Sequence, residues 1–207
     1  TSFLLSREDH HLFACGASFK ALKGSECRKG VRVEYAGVSG LEKMAGGENS
    51  LVLWSNFQKK LKIFLPEGSG LDEGFATLGE ALNEGMELTE VSIGRGHVLA
   101  MVGMEESKLL FVWGRNETGQ LGIGGKAREG QNQPYLITGL SGVAGVKASG
   151  DSSFVVTEEG EMFSWGSNGF NRLGFSDPAQ KIQRTPRALG AKIQISSLAT
   201  AKSFVLA

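Results

Sequence analysis

Residues 110–124, LFVWGRNETGQLGIG, are matched fifty-two positions later by residues 162–175, MFSWGSNGFNRLGF. In both segments a mainly apolar run leads into Trp-Gly, an asparagine and then Leu-Gly. A weaker copy at residues 12–16, LFACG, has Cys15 in place of the tryptophan, and the copy at residues 61–65, LKIFL, lacks Trp-Gly. A period of about fifty residues indicates a repeat architecture, in which one supersecondary unit stacks on the next.

A second pattern recurs with the same period. An apolar strand, a turn of small residues and another strand follow one another at LEKMAGGENSLVL, TEVSIGRGHVLAM, GVKASGDSSFVVT and SSLATAKSFVLA. Aligning these segments, together with the start of the chain, defines one equivalent position, which we call the repeat slot; it is occupied by Ser2, Asn49, His97, Ser153 and Ser203. The intervals between them are 47, 48, 56 and 50 residues. The chain is therefore predicted to hold four repeats, at residues 2–48, 49–96, 97–152 and 153–207.

The best-formed unit predicts four strands. Valine-rich runs at 143–149 and 153–157 are joined by a turn at Gly150, a hairpin turn follows at 158–160, and a third strand covers 161–166. The fourth, outer strand is predicted at 186–189, and at 134–137 in the unit before, because an edge strand tolerates the donor that proline lacks. Four antiparallel strands recurring in a fixed order indicate an all-β fold, a β-propeller of four-stranded blades.

These residues carry a family resemblance. FVWGRNETGQLGIG, a proline, a GLSGV run and GVKASGDSSFVVTEEGEMFSWG together resemble the regulator-of-chromosome-condensation repeat. The resemblance is strong over residues 88–207 and weak over residues 1–87. Since that family closes seven blades, it implies that this chain is part of a larger ring, with the remaining blades coming from the same parent chain or from a partner. A compact four-bladed propeller is the alternative.

The second unit is irregular. In residues 71–85, LDEGFATLGEALNEG, apolar residues recur at intervals of four, three and four, which is the spacing of one helix face. This predicts a short amphipathic helix that replaces or decorates the outer strand of its blade. Its apolar face either covers the edge of its own blade or docks a partner, and the sequence leaves both open.

Composition narrows the class of protein. The chain has 22 basic and 22 acidic residues, so it lacks the positive field that favours nucleic acid or anionic lipid, and we expect neither nucleic acid nor a membrane as partner. Its two cysteines have no metal or redox spacing, and no apolar stretch is long enough for a signal peptide or membrane span. We therefore expect an intracellular protein, cytoplasmic or nuclear. Because the chain begins with Thr1, a longer parent chain is also expected.

The residue types that carry chemistry are sparse. His10 and His11 lie beside an acidic residue at a turn, and His97 stands alone, so no metal site has enough ligands. Neither a catalytic constellation nor a cofactor motif is predicted.

The candidate site comes from topology. In a four-stranded meander the first turn and the third-to-fourth loop emerge on the same side, so one side of the propeller is built from equivalent loops. Its predicted partner-binding residues are one turn residue per repeat and the neighbouring loop residues: Glu48, Arg95, Asp151, Lys202, Phe19, Arg115, Glu117, Phe170 and Arg172. Aromatic and arginine side chains are typical anchors of protein interfaces. The alternative interpretation is that these are ordinary solvated turns.

The predicted fold and the family resemblance point to two alternative functions. A non-catalytic scaffold or adaptor that holds a protein, such as a small GTPase or an enzyme subunit, needs only a rigid disc and variable loops. The family resemblance implies the alternative, a guanine-nucleotide exchange factor for a Ran-like small GTPase. Exchange acts by prising the nucleotide from the GTPase and requires no acid–base pair. Chromatin attachment, which the family name suggests, is disfavoured by the neutral charge.

Overall fold

The computed structural model describes residues 2–5, 12–15, 31–33, 43–46, 51–55, 60–64, 85–104, 107–125, 127, 129–175, 177, 179–192, 199–200 and 205–206. The predicted helix at 71–85 lies outside these residues, apart from Gly85.

The first half of the chain contributes two three-stranded sheets. The first sheet consists of β1 (Ser2–Leu5), β2 (Leu12–Cys15) and β3 (Val31–Val33). The second consists of β4 (Lys43–Gly46), β5 (Leu51–Ser55) and β6 (Lys60–Phe64).

Two complete four-stranded sheets follow. One consists of β7 (Met86–Ile93), β8 (His97–Met104), β9 (Ser107–Arg115) and β10 (Gly130–Ile137). The other consists of β11 (Val143–Ser149), β12 (Ser152–Thr157), β13 (Glu161–Ser167) and β14 (Ile182–Lys192). A last pair is formed by β15 (Ala199–Thr200) and β16 (Val205–Leu206).

The connectivity is that of propeller blades. Within each described sheet, strands that are consecutive in the chain pair side by side, and every pair is antiparallel. The all-β fold with four-stranded antiparallel blades is confirmed. Each complete sheet begins one strand before the repeat slot, since His97 opens β8 and Ser153 lies near the start of β12. The predicted repeat boundaries stay a prediction.

The core lies between blades. Along β8, Val98 and Ala100 belong to a buried cluster that includes Trp54 of the preceding sheet. Leu99 and Met101 belong to another cluster, which includes residues of the following sheet. Because successive side chains of a strand point to opposite faces, a strand buried on both faces needs a continuous apolar run, and the sequence HVLAMV provides it.

The outer strands are interrupted where their prolines lie. The register between β9 and β10 shifts between Gln131 and Tyr135, a segment that contains Pro134. The pairing of β14 with β13 shifts between Gln183 and Arg187, around Pro186. Both segments are strands, so the predicted outer strands are confirmed, and each proline lies within a register shift of its strand pair.

Candidate partner-binding face

Two glycines bring the loops and turns of each blade together. At the end of β9, Gly114 has a φ of 111°, and a Cβ there would lie 2.4 Å from the carbonyl oxygen of Gly96. At the end of β13, Gly166 has a φ of 101°, and its Cβ would lie 2.4 Å from the Asp151 oxygen. Only glycine fits such a conformation at so close an approach. The loop after the third strand therefore crosses directly over the turn between the first two strands.

We call this surface the loop face. It consists of the β7–β8 and β11–β12 turns and the loops that follow β9 and β13.

A buried asparagine holds each of these loops. Asn116 accepts a hydrogen bond from the backbone of Leu121 at 3.1 Å and donates one to the carbonyl of Ala127 at 3.1 Å. Asn168 does the same with Leu173 at 3.1 Å and Gln180 at 2.8 Å. Each asparagine side chain thus forms a brace across its whole loop.

The structure places six of the nine predicted face residues on the loop face: Arg95, Arg115, Glu117, Asp151, Phe170 and Arg172. Phe19, Glu48 and Lys202 lie outside the described residues.

The turn residues of adjacent blades pair with each other. Nη1 of Arg95 donates to Oδ2 of Asp151 at 3.0 Å, and the backbone N–H of Arg95 donates to the Gly150 carbonyl at 2.8 Å. These two turn residues of opposite charge therefore join one blade to the next. Such a partly exposed ion pair contributes little stability, at most about 1 kcal/mol, but it fixes the orientation of both side chains.

A second ion pair lies within one loop. The Arg115 guanidinium makes hydrogen bonds of 2.7 and 2.9 Å to the two carboxylate oxygens of Glu117. These bonds raise the pKa of Arg115. The Arg115 side chain also lies against Gly96, where a Cβ would come within 2.5 Å of Cδ.

Phe170 and Arg172 differ from these paired residues. They lie in or next to η1 (Gly169–Asn171), a single 3₁₀ turn after β13. The Phe170 side chain is 87% exposed. The Arg172 Nε donates to the carbonyl of Gly169 at 2.9 Å, and among the residues that the structure describes no carboxylate pairs with Arg172.

Beneath the face lies a buried hydrogen-bond chain that the sequence argument missed. His97 and Ser153, which share the repeat slot, meet across the blade interface, with 2.8 Å between Nε2 and Oγ. The Ser153 hydroxyl donates to the Gln120 carbonyl at 2.7 Å, so His97 must donate through Nε2–H. Nε1 of Trp165 donates to the same carbonyl at 2.9 Å. The sequence contained the information for this contact, because His97 and Ser153 occupy the same repeat slot and equivalent positions on adjacent blades face one another.

The imidazole in this chain is neutral. Burial lowers the pKa of His97 to about 3, although the nearby Ser152 backbone acts in the opposite direction. A neutral, enclosed imidazole that bonds across the blade interface has a structural role.

Two side chains of β7 cover the edge of the next sheet. The Glu90 carboxylate accepts the Val146 N–H at 3.3 Å, and the Ser92 hydroxyl accepts the Ala148 N–H at 2.9 Å. Burial raises the pKa of Glu90, and the Val146 hydrogen bond opposes that rise. An open strand edge invites wrong pairing, and here the neighbouring blade occupies it.

Comparison with known proteins agrees with this geometry. The family model of the regulator of chromosome condensation (RCC1) repeat matches residues 109–156. Residues 109–156 are therefore similar to one RCC1 repeat. A search of curated proteins found no match.

Solved structures of RCC1-type proteins share the fold of this chain. Yeast RCC1 (Prp20), solved bound to Kap60, has a TM-score of 0.78 and 17% identity over 98% of this chain and 50% of its own. Prp20p from Saccharomyces cerevisiae, in a study of its binding to Gsp1p and histones, has a TM-score of 0.68 and 14% identity over 92% and 50%. Human WBSCR16 has a TM-score of 0.62 and 20% identity over 86% and 48%. The chain spans about half the length of these proteins.

Within the described residues no group of three His, Cys, Asp or Glu side chains could hold a metal ion. In the same part of the chain no helix is long and apolar enough to cross a membrane. The loop face presents arginines, carboxylates and an exposed aromatic ring, which are groups that bind other proteins.

Proposed function

We propose that the chain is a protein-interaction scaffold that binds a regulatory or enzymatic protein on its loop face, with no catalytic side chains of its own. The observation that carries the proposal is the 87% exposed Phe170 beside Arg172 on a braced loop. Aromatic and arginine side chains dominate the binding energy of protein interfaces. We infer an intracellular setting, cytoplasmic or nuclear, with a small GTPase or an enzyme subunit as the partner.

Rigidity supports this proposal. The two complete blades are joined across their interface by the Arg95–Asp151 ion pair, the His97–Ser153 hydrogen bond and the contact of Ser92 with Ala148. A face whose side chains are already held in place loses little conformational entropy on binding. The loops can thus differ in sequence while the platform stays the same.

Guanine-nucleotide exchange on a Ran-like small GTPase is the second candidate. The fold similarity to Prp20p, whose solved structure was described together with Gsp1p binding, favours it. An exchange factor also acts through a contact surface, so the same loop face would serve both functions.

Site-specific photo-crosslinking tests the use of the face. A photoreactive amino acid replaces Glu117 on the loop face in one variant and Glu158, in the hairpin turn between β12 and β13 at the other end of the sheet, in a second. We expect one defined protein to crosslink from position 117 and not from position 158. Crosslinks from position 158 alone would overturn the proposal.

A nucleotide-release assay separates the two functions. The chain is added at substoichiometric amounts to a Ran-like GTPase loaded with fluorescent GDP. A scaffold leaves the release rate at its intrinsic value. An acceleration above about tenfold, equivalent to about 1.4 kcal/mol of barrier, would replace the scaffold by the exchange factor.

A further inference from the structure

The backbone of the loop after β13 is strained at Phe170. Phe170 has φ 59° and ψ 26°, and the next residue, Asn171, has a φ of 54°. Asparagine adopts this left-handed conformation with little penalty, whereas a residue with a bulky Cβ substituent does so at a cost. Ala127 is the one other non-glycine residue of the described part with a positive φ.

The repeat itself does not require this strain. In the preceding blade, fifty-two residues earlier, the equivalent of Phe170 is Thr118, which has no positive φ. The Thr118 hydroxyl is half-buried and donates to the Gln120 side chain at 2.8 Å. Asn171 corresponds to Gly119, which is also left-handed. The strained conformation of the aromatic residue is therefore specific to this blade.

Burial of the Phe170 ring against the described part of the chain does not compensate for this strain. At 87% exposure, Phe170 is by far the most exposed large hydrophobic side chain of the described residues, compared with 36% for Leu136 and 38% for Ile182. Strained residues persist where function requires them, and an exposed strained aromatic residue indicates a contact made with another molecule.

Arg172 supplies the charge beside this ring. Gly169 holds its Nε, and its Nη1 lies near the β11–β12 turn, 3.3 Å from where a Cβ on Gly150 would be. Arg95 and Arg115 each have a carboxylate within 3.0 Å, but Arg172 has none in the described part of the chain. A guanidinium that is held in position and lacks a carboxylate is complementary to an acidic group on a partner.

We propose that Phe170 and Arg172 together anchor an acidic and apolar segment of a partner protein. A carboxylate of the segment pairs with the Arg172 guanidinium, and an apolar side chain next to it packs on the Phe170 ring. This inference rests on the proposed function and extends it. It identifies the binding point on the loop face and the chemical character of the partner segment that binds there.

Peptide selection tests the anchor. A phage-displayed library of random peptides is selected on the immobilised full chain. We expect enriched peptides to carry Asp or Glu next to a large apolar residue. Their affinity should fall at least about tenfold with F170A, with R172A, or when the acidic residue becomes its amide. The matched control is L136A, which removes an exposed apolar side chain from β10 and should change the affinity less than twofold.

A stability measurement tests the strain. F170G should raise the Tm of the free chain by about 2–4 °C, because glycine adopts the left-handed conformation without penalty. The same variant should lose peptide binding. A lower Tm for F170G would show that the ring is held by its own chain and would overturn the anchor.

The two proposals can fail separately. Peptides that bind F170A and R172A as well as the native chain, or that need no acidic residue, would overturn the anchor. Crosslinking from position 117 would then still support the use of the loop face. Crosslinking from position 158 alone would contradict the proposed function, whatever the peptides show.

Discussion

At the scale of single residues, identical places in the repeat are used differently. The slot that holds Asn49 and Ser153 holds His97 in the third repeat, buried and bonded to Ser153. Arg172 occupies the place of Gln120, whose side chain is buried and satisfied within its own loop. In a repeat protein, a residue that differs from its counterparts in the other repeats without a structural reason is therefore a candidate for a functional role. Phe170 is such a residue.

The titration of His97 gives a prediction with a definite sign. Its pKa is about 3 in the folded chain and about 6.5 in an unfolded one, so below pH 6.5 the unfolded state binds more protons. Stability from this residue is complete above pH 6.5 and falls as the pH drops toward 3. H97N places the asparagine of the preceding repeat in the slot and removes the titration. Below pH 6.5 the stability of the native chain relative to H97N should fall by up to about 1.4 kcal/mol per pH unit.

Urea unfolding of both chains at pH 7.5, 6 and 5 measures this difference. Glu90, whose raised pKa acts in the opposite direction, is present in both chains and cancels in the comparison. Parallel pH dependences for the two chains would contradict a buried neutral imidazole.

At the scale of strands and loops, the sequence predicts most of what is local. Alternation and glycine turns placed β11, β12 and β13 correctly, and Pro134 and Pro186 marked the outer strands. The pairing of Arg95 with Asp151 and the covering of the β11 edge by Ser92 were not predicted, because they join residues of adjacent blades. Their separation of fifty-six residues equals the interval between His97 and Ser153, so the register was in the sequence but the contact geometry was not.

The asparagine brace leads to a testable prediction at the scale of strands and loops. N168A removes a donor and an acceptor from a buried site and leaves the Leu173 N–H and Gln180 carbonyl without this partner. It should cost about 2–3 kcal/mol and speed amide hydrogen exchange in residues 169–174. Asn132, exposed on β10, gives the control N132A, which should change stability by less than about 0.5 kcal/mol. Equal losses in the two variants would show that the brace contributes nothing specific.

At the scale of the whole molecule, the hydrogen bonds between blades make neighbouring sheets depend on each other. The Gln120 carbonyl of one blade accepts from both Ser153 and Trp165 of the next. Since the loop of one blade is held by side chains of the following one, a face built from several blades acts as one surface. This dependence is what a scaffold needs, because a partner that spans several loops then meets a single fixed arrangement.

A double-mutant cycle measures that dependence. Either W165F or S153A alone leaves the Gln120 carbonyl with one donor, whereas the two together leave it buried with neither. S153A also removes the acceptor of His97, and that contribution appears equally in the single and double variants. The combined loss in the free energy of unfolding should exceed the sum of the single losses by about 0.5–3 kcal/mol, because the last hydrogen bond to a buried carbonyl is worth more than one of two. Additive losses would mean that the carbonyl finds another donor when both are gone, and the interface between the blades would then be less specific than its geometry indicates.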